Sequence, residues 1–155
     1  MDKADIVGDI HIRNYRHPDD YQAVYAVWES AGKGIHIAAS DSLEEIGKLV
    51  KKSPGLFFVA ELEGRIIGTV MGGFDGRRGL IYHLAVHPEY QNKHIGSRLL
   101  LQVEEALYNI GCTKVYLFLV PENIQQAGFY RKLNYEQMDV VPFTKYLREQ
   151  PSMDK

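Results

Sequence analysis

The sequence contains a single cysteine, Cys112, and no long run of apolar residues. One cysteine cannot form an internal disulfide, so nothing in the cysteine usage points to an oxidising compartment. No segment approaches the roughly 20 apolar residues that a membrane-spanning helix needs, and no N-terminal apolar stretch follows basic residues as it does in a signal peptide. We therefore expect a cytoplasmic protein with no membrane partner.

The sequence also lacks an excess of charge of either sign. Its 18 Lys and Arg residues nearly balance its 20 Asp and Glu residues, which leaves a net charge of -2. This balance provides no overall attraction to nucleic acid, so we expect no nucleic-acid partner. The 6 histidines show no spacing typical of metal ligands, so we also expect no metal site.

What the sequence does contain is typical of a globular domain. Hydrophobic residues make up 45% and charged residues 25%, the usual balance of such a fold. The length fits a single domain spanning residues 1–155, with an ordered core from about residue 9 to about residue 148. A loose arm is expected at Met1–Gly8 and a frayed end at Gln150–Lys155.

Apolar periodicity predicts a mixed α/β domain with about seven strands and about four helices. The expected strands are Ile10–Arg13, Leu56–Leu62, Arg65–Phe74, Leu80–Val86, Lys114–Val120, Tyr135–Met138 and Phe143–Leu147. The expected helices contain Tyr21 to Trp28, Ser42 to Lys52 (with a capping box at Ser42–Glu45), Ile95 to Ile110, and Pro121 to Lys132. Tight turns make the sheet mostly antiparallel, whereas the crossover from Leu80–Val86 to Lys114–Val120 should be right-handed with those two strands parallel.

One segment has the features of an anion site. Between a strand ending at Val86 and a helix beginning near Ile95, the chain reads His87-Pro88-Glu89-Tyr90-Gln91-Asn92-Lys93-His94. The first turn of a helix has backbone N–H groups without intrahelical partners, and the helix dipole adds partial positive charge there. Gly96 and Ser97 are small enough to let a phosphate approach the backbone. The segment therefore predicts a diphosphate site, although these two residues could instead serve close packing.

The pattern Val86-x-Pro88-x-x-Gln91-x-x-His94-Ile95-Gly96 resembles the acetyl-coenzyme A signature of the GNAT superfamily of N-acetyltransferases. That signature is Gln or Arg, two residues, Gly, one residue, then Gly or Ala. Gln91 and Gly96 match it, whereas His94 replaces the first Gly. Histidine is among the residues enriched at positive φ, so the loop can survive this replacement. The imidazole could also crowd the phosphates, or contact them when protonated.

A later segment resembles the second motif of the same superfamily. It reads Asn123-x-x-x-Ala127-x-Phe129-Tyr130-x-x-Leu133-Asn134-Tyr135, with Asn134 in the position of the usual Gly. In a helix, Asn123, Ala127 and Tyr130 share one face. A small residue between two polar ones suits a groove for a thin chain such as pantetheine.

The resemblance implies a GNAT-like fold and an enzyme that transfers acetyl from acetyl-coenzyme A directly to a primary amine. In such enzymes the coenzyme A arm lies between two splayed parallel strands, here Leu80–Val86 and Lys114–Val120. The resemblance implies that the arm is contacted by Leu84, Ala85, Val86, Asn123 and Tyr130. It implies that the diphosphate is held by Gln91, Asn92, Lys93, His94, Ile95, Gly96 and Ser97.

The resemblance assigns Tyr130 as the catalytic general acid that protonates the leaving thiolate. The amine must also lose a proton before it attacks, since a lysine-like amine has a pKa near 10.4. His83, on the central strand, is the chemical type best suited to accept that proton, and Asp75 and Glu61 are alternatives. Strand alternation places His83 and Leu84 on opposite faces, which leaves open which face meets the acceptor.

Other interpretations stay open. Tyr130 could be a core tyrosine, Asn123 a helix cap, and Cys112 a small buried hydrophobe. The domain could bind or sense acyl-coenzyme A without turnover, which the His94 replacement favours, or it could be an unrelated nucleotide-binding domain. The sequence does not identify the acceptor amine, which could belong to a small molecule or a protein. A homodimer could form through the edge of the C-terminal strands.

Overall fold

The computed structural model describes residues 9–150, and this range contains five strands and four α-helices. The strands are β1 (His11–Asn14), β2 (Phe57–Leu62), β3 (Arg65–Phe74), β4 (Gly79–Val86) and β5 (Val115–Tyr116). The helices are α1 (Tyr21–Ser30), α2 (Leu43–Lys52), α3 (Ile95–Asn109) and α4 (Ala127–Lys132). No helix in this range is long and apolar enough to cross a membrane. The loose arm and the frayed end expected at the termini lie outside the described residues, except for Gln150.

The strands form one mixed sheet in the order β1-β2-β3-β4-β5. The first three pairs are antiparallel and the β4–β5 pair is parallel, as the crossover predicts. Glu63 and Gly64, between β2 and β3, both have positive φ, of 50° and 78°, as a tight two-residue hairpin requires. The predicted class, a mixed and mostly antiparallel α/β sheet, is confirmed.

Helices cover both faces of the sheet. On one face, α3 buries an apolar stripe that includes Leu99 and Val103. On the other face, α1 and α2 pack through Val24, Trp28 and Ile46. Because β2 and β3 are buried on both sides, their sequences are apolar almost throughout.

Two glycines of β3 let α3 lie close to the sheet. A Cβ on Gly72 would lie 2.7 Å from Val103 Cγ2, and a Cβ on Gly68 would lie 3.0 Å from Leu99 Cδ1. Val103 and Leu99 are fully buried and have no free space to move into. The glycines therefore set the depth of α3 on the sheet, and with it the position of the helix N-terminus beside the end of β4.

The sheet has five strands where the sequence predicts about seven. Lys114–Val120, expected as one strand, forms only the two residues of β5, and the expected hairpin of Tyr135–Met138 with Phe143–Leu147 is absent from residues 135–150. The apolar side chains there are exposed, Phe143 by 94% and Leu147 by 90%. A hairpin needs a neighbouring element to bury one of its faces, and β5 is too short to offer one. The homodimer contact predicted at these strands therefore has no strand edge within residues 135–150.

The end of α3 also differs slightly from the prediction. The helix stops at Asn109, and Ile110, predicted on the buried face, has φ -99° and is 52% exposed. Gly111 follows with φ +95°. It is confirmed as the residue that ends the helix, because glycine adopts this left-handed conformation without a steric penalty.

Replacing Gly72 with alanine should lower the free energy of unfolding by about 1–3 kcal/mol, the usual cost of overpacking a core. Urea unfolding followed by circular dichroism measures the change. Gly128→Ala is the matched control, because nothing lies within 4 Å of the added atom and alanine is the better helix former by about 1 kcal/mol. Unchanged stability of Gly72→Ala would contradict the close approach of α3.

Candidate functional site

A cavity of about 550 Å³ lies where β4 and β5 diverge. Within the described chain these strands pair at two positions, Gly79 with Val115 and Leu80 with Tyr116. The walls come from the end of β4, the loop after it, the start of α3 and the region of α4. The predicted coenzyme A residues that line the cavity are Leu84, Ala85, Val86, Gln91, Asn92, His94, Ile95, Gly96, Ser97, Asn123 and Tyr130. Lys93 is the one predicted residue that is not part of this lining.

His94 shapes the N-terminus of α3. Its backbone is left-handed, with φ 62° and ψ 15°, as expected of a histidine in the position of a glycine. Its carbonyl accepts hydrogen bonds from the Ser97 hydroxyl at 2.9 Å and from the Arg98 N–H at 3.1 Å. Among the described residues no side chain caps this helix end. The N–H groups of the first turn therefore remain available to an external acceptor beside the cavity.

Gln91 connects the loop to the end of β4. Its side-chain Nε2 donates a hydrogen bond to the carbonyl of Val86 at 3.1 Å. Its backbone N–H contacts the carbonyl of Pro88 at 3.5 Å, which closes the short turn Pro88–Tyr90. The side chain of Gln91 thus stabilises the loop conformation that surrounds the anion site.

Gly96 faces the opposite wall of the cavity. A Cβ there would lie 3.6 Å from Phe129 Cζ and 3.9 Å from Val86 Cγ2. Both are ordinary van der Waals distances, so a single methyl group fits, whereas a long side chain would have to extend into the space that these residues line. Gly96 therefore contributes to packing against α4 and also leaves the cavity open.

A bulge interrupts β4 at the site. Thr69 of β3 pairs with Ala85 and Met71 pairs with Tyr82, so two residues of β4 lie opposite one residue of β3. His83, one of those two residues, has φ 47°. An extra residue in a strand breaks the alternation of side chains. For this reason His83 and Leu84 both line one cavity, which the sequence pattern left undecided.

This second cavity has a volume of about 170 Å³. Most of its wall is apolar, and the residues that form it are Gly34, Ile35, His36, Ile81, Tyr82, His83, Leu84, Leu117, Phe118, Leu119, Val120, Asn123 and Tyr130. The two cavities have Gly34, Ile35, Leu84, Asn123 and Tyr130 in common. They therefore meet at the gap between β4 and the chain that follows β5.

His83 has a buried carboxylate beside it. Its Nε2 lies 2.9 Å from Asp41 Oδ2, and its ring contacts the ring of Trp28 edge-on with the centroids 5.2 Å apart. Asp41 is 5% exposed. Sequence reasoning missed Asp41, because a single acidic residue far from His83 in the chain carries no local signal.

The other candidate polar groups lie outside both cavities. The Asp75 side chain accepts hydrogen bonds from the N–H groups of Arg77 and Arg78 in an exposed turn. Glu61 is paired with Arg13 at 2.8 Å. Cys112 is buried with its Sγ 3.3 Å from the carbonyl of Lys114. This geometry makes Asp75 and Glu61 weaker candidates than His83 for a group that meets substrate.

Tyr130 is partly buried and lies on the wall of both cavities. Its ring packs against Phe129 and Tyr135, at centroid distances of 5.0 Å and 5.7 Å. Burial raises the pKa of Tyr130 to about 12, because the phenolate is poorly solvated there. The phenol is therefore protonated at neutral pH and can donate a proton into the gap.

Asn123 does not cap α4. It lies in a 3-10 segment, Pro121–Gln126, that precedes the helix, and the N-cap position belongs to Gln126. Its side-chain Oδ1 accepts a hydrogen bond from Gln125 Nε2 at 3.2 Å. A Cβ on Gly34 would lie 3.5 Å from the Asn123 amide group. The amide thus lies in the narrow region shared by the two cavities.

Comparison with known proteins identifies one family. A family model described as "Acetyltransferase (GNAT) family" matches residues 12–135. An acetyltransferase of Pectobacterium atrosepticum is 37% identical over 140 residues, which are 90% of this chain and 97% of that protein. An acetyltransferase of Sodalis glossinidius is 36% identical over 132 residues, which are 85% of this chain and 91% of that protein.

Solved structures agree on the fold. The PaiA N-acetyltransferase of Thermoplasma acidophilum, in complex with coenzyme A, is similar with a TM-score of 0.75 and 23% identity. The match covers 85% of this chain and 92% of that chain. The fold expected from the two sequence motifs is thereby confirmed.

Replacing Gly96 with leucine should weaken coenzyme A binding by about tenfold or more, or roughly 1.4 kcal/mol, because the side chain would occupy space beside the first-turn N–H groups. Calorimetric titration with coenzyme A measures the change. Gly96→Ala is the control and should bind within about threefold of wild type, since its methyl group meets ordinary contact distances. Equal affinity of the leucine variant and wild type would contradict the location of the site.

Proposed function

Because the chain belongs to the GNAT family of acetyltransferases, we propose that it transfers the acetyl group of acetyl-coenzyme A to a primary amine in a ternary complex. The observation that carries this proposal is the junction of the two cavities at Leu84, Asn123 and Tyr130. The larger cavity ends at unpaired helix amides and suits coenzyme A. The smaller cavity opens on the other side of the gap and suits the acceptor.

The residues of the larger cavity fit the parts of coenzyme A. The first-turn N–H groups of α3 and the helix dipole would hold the diphosphate. The backbone of Leu84, Ala85 and Val86 would pair with the pantetheine amides, because β4 has no strand partner there on the β5 side. Asn123 would contact the same arm from the opposite wall.

The reacting groups would lie at the junction. His83 would accept a proton from the amine as its nitrogen forms the new bond to the acetyl carbon. Tyr130 would donate its phenolic proton to the thiolate that leaves as the carbon–sulfur bond breaks, and solvent would restore both groups. No covalent intermediate on the protein is needed, and Cys112 lines neither cavity.

Replacing Tyr130 with phenylalanine should lower kcat by about 10²-fold or more, the lower range for a lost general acid, and should leave coenzyme A affinity within about threefold. A thiol-release assay with a panel of amines, together with calorimetry, measures the two effects separately. Tyr108→Phe is the matched control, because Tyr108 is exposed on α3 and lines neither cavity. An equal loss of affinity and rate would argue against the acid role.

The same assay tests the whole proposal against its alternative. Tight binding of coenzyme A by the wild-type protein without thiol release on any amine would favour an acyl-coenzyme A sensing module. Failure to bind coenzyme A at all would contradict both functions.

The lining of the smaller cavity predicts which amines react best. Within the described residues that cavity has no Lys, Arg, Asp or Glu in its wall. A carboxylate beside the reacting amine would lose its hydration there without gaining a cationic partner, which is unfavourable. We expect 2-phenylethylamine to react with a kcat/KM at least about tenfold higher than that of phenylalanine, or roughly 1.4 kcal/mol of discrimination. Equal rates would contradict an apolar acceptor site.

A further inference from the structure

We propose that Asp41 is a positioning residue whose carboxylate holds the His83 imidazole in one tautomer, with Nδ1 left to accept the proton of the acceptor amine. This inference rests on the proposed function of His83 as general base. It concerns a residue that lies 42 positions before the histidine and outside both family motifs.

The tautomer follows from the contact between the two side chains. His83 Nε2 lies 2.9 Å from Asp41 Oδ2. A carboxylate accepts hydrogen bonds and does not donate them, so Nε2 must carry a hydrogen. In a neutral imidazole the other ring nitrogen, Nδ1, then has the free lone pair. A general base needs such a lone pair, so this orientation prepares His83 for proton transfer.

Asp41 is itself held in place by three contacts. Its Oδ2 accepts a second hydrogen bond, from the N–H of Ala38 at 3.0 Å. Its carbonyl accepts one from the Tyr21 hydroxyl at 2.8 Å, which fixes the turn Ala39–Asp41 to α1. Ser42 then caps α2 by accepting a hydrogen bond from the Glu45 N–H. The carboxylate cannot easily turn away from His83, because its backbone and its side chain are both bonded.

The rest of the His83 environment limits the ring to this position. Trp28, which is fully buried, contacts the imidazole edge-on from α1. The bulge with φ 47° at His83 directs the side chain into the acceptor cavity that Leu84 also lines. Burial makes the pair more than a surface contact, since the histidine side chain is 20% exposed and the aspartate side chain 7% exposed.

The Ala38 N–H makes a sharp prediction for the isosteric variant. In Asp41→Asn, the amide oxygen should occupy the position of Oδ2, because the amide NH2 group there would face the N–H of Ala38. The oxygen would still accept from His83 Nε2 and preserve the tautomer. We therefore expect Asp41→Asn to retain kcat within about tenfold, whereas Asp41→Ala should lose about 10²-fold, in the range for an impaired general base.

A double-mutant cycle separates positioning from a purely structural role. The thiol-release assay is run with 2-phenylethylamine on wild type, Asp41→Ala, His83→Gln and the double variant, with thermal unfolding and coenzyme A affinity measured on each. We expect His83→Gln to lower kcat by about 10²-fold, and Asp41→Ala to add little in the His83→Gln background. Independent losses that multiply would overturn the positioning role.

A spectroscopic measurement keeps the inference testable if Asp41→Ala folds poorly. Nitrogen-15 correlation spectra of the imidazole in the wild-type protein and in Asp41→Asn report which ring nitrogen is protonated. We expect the hydrogen on Nε2 in both proteins, and a hydrogen on Nδ1 alone would overturn the inference. An unchanged kcat in His83→Gln would instead remove the base role, whereas loss in His83→Gln with full activity in Asp41→Ala would overturn the role of Asp41 alone.

Discussion

The brief pairing between β4 and β5 is the constraint on which the rest of the structure depends. Two residues of β5 pair with the start of β4, and beyond them the strands diverge. A full parallel pair would close the sheet with backbone hydrogen bonds. The divergence leaves the backbone of β4 without a strand neighbour on one side, and buried backbone groups of this kind need a partner. The bulge at His83 and Leu84 lies at the same place and turns both side chains towards one cavity.

This gap brings together groups from distant parts of the chain. The N-terminus of α3 lies at one end, positioned by the close contact of the helix with Gly68 and Gly72. The region shared by the two cavities contains Tyr130, and His83 lies on the wall of the smaller cavity. The polar helix end suits an anion, whereas the partly buried junction raises the pKa of Tyr130 to about 12 and keeps it protonated. One cleft thus offers an anion site and a proton donor.

The features that sequence alone predicted are those with local causes. The start of α3, the tight turn at Glu63 and Gly64, and the positive φ of Asn134 and of His94 each follow from a few neighbouring residues. The long helix was predictable because its buried residues recur at helical spacing. The order of these elements was enough to suggest the fold and the larger cavity.

The features that escaped prediction depend on distant contacts. The bulge at His83 has no glycine or asparagine to mark it, so alternation left its orientation undecided. Asp41 meets His83 through the folding of a separate turn. The expected C-terminal hairpin has strand-like residues, but Phe143 and Leu147 find no surface to cover them within residues 9–150. Burial is a property of the whole fold, and a residue pattern does not determine it.

The most direct test of the account is a crystal structure of the protein with coenzyme A. The account predicts diphosphate oxygens about 2.7–3.2 Å from backbone nitrogens of the first turn of α3, with the thiol in the gap near the Tyr130 hydroxyl. Coenzyme A bound elsewhere, or the His94 side chain in the place of the diphosphate with the gap closed, would contradict it.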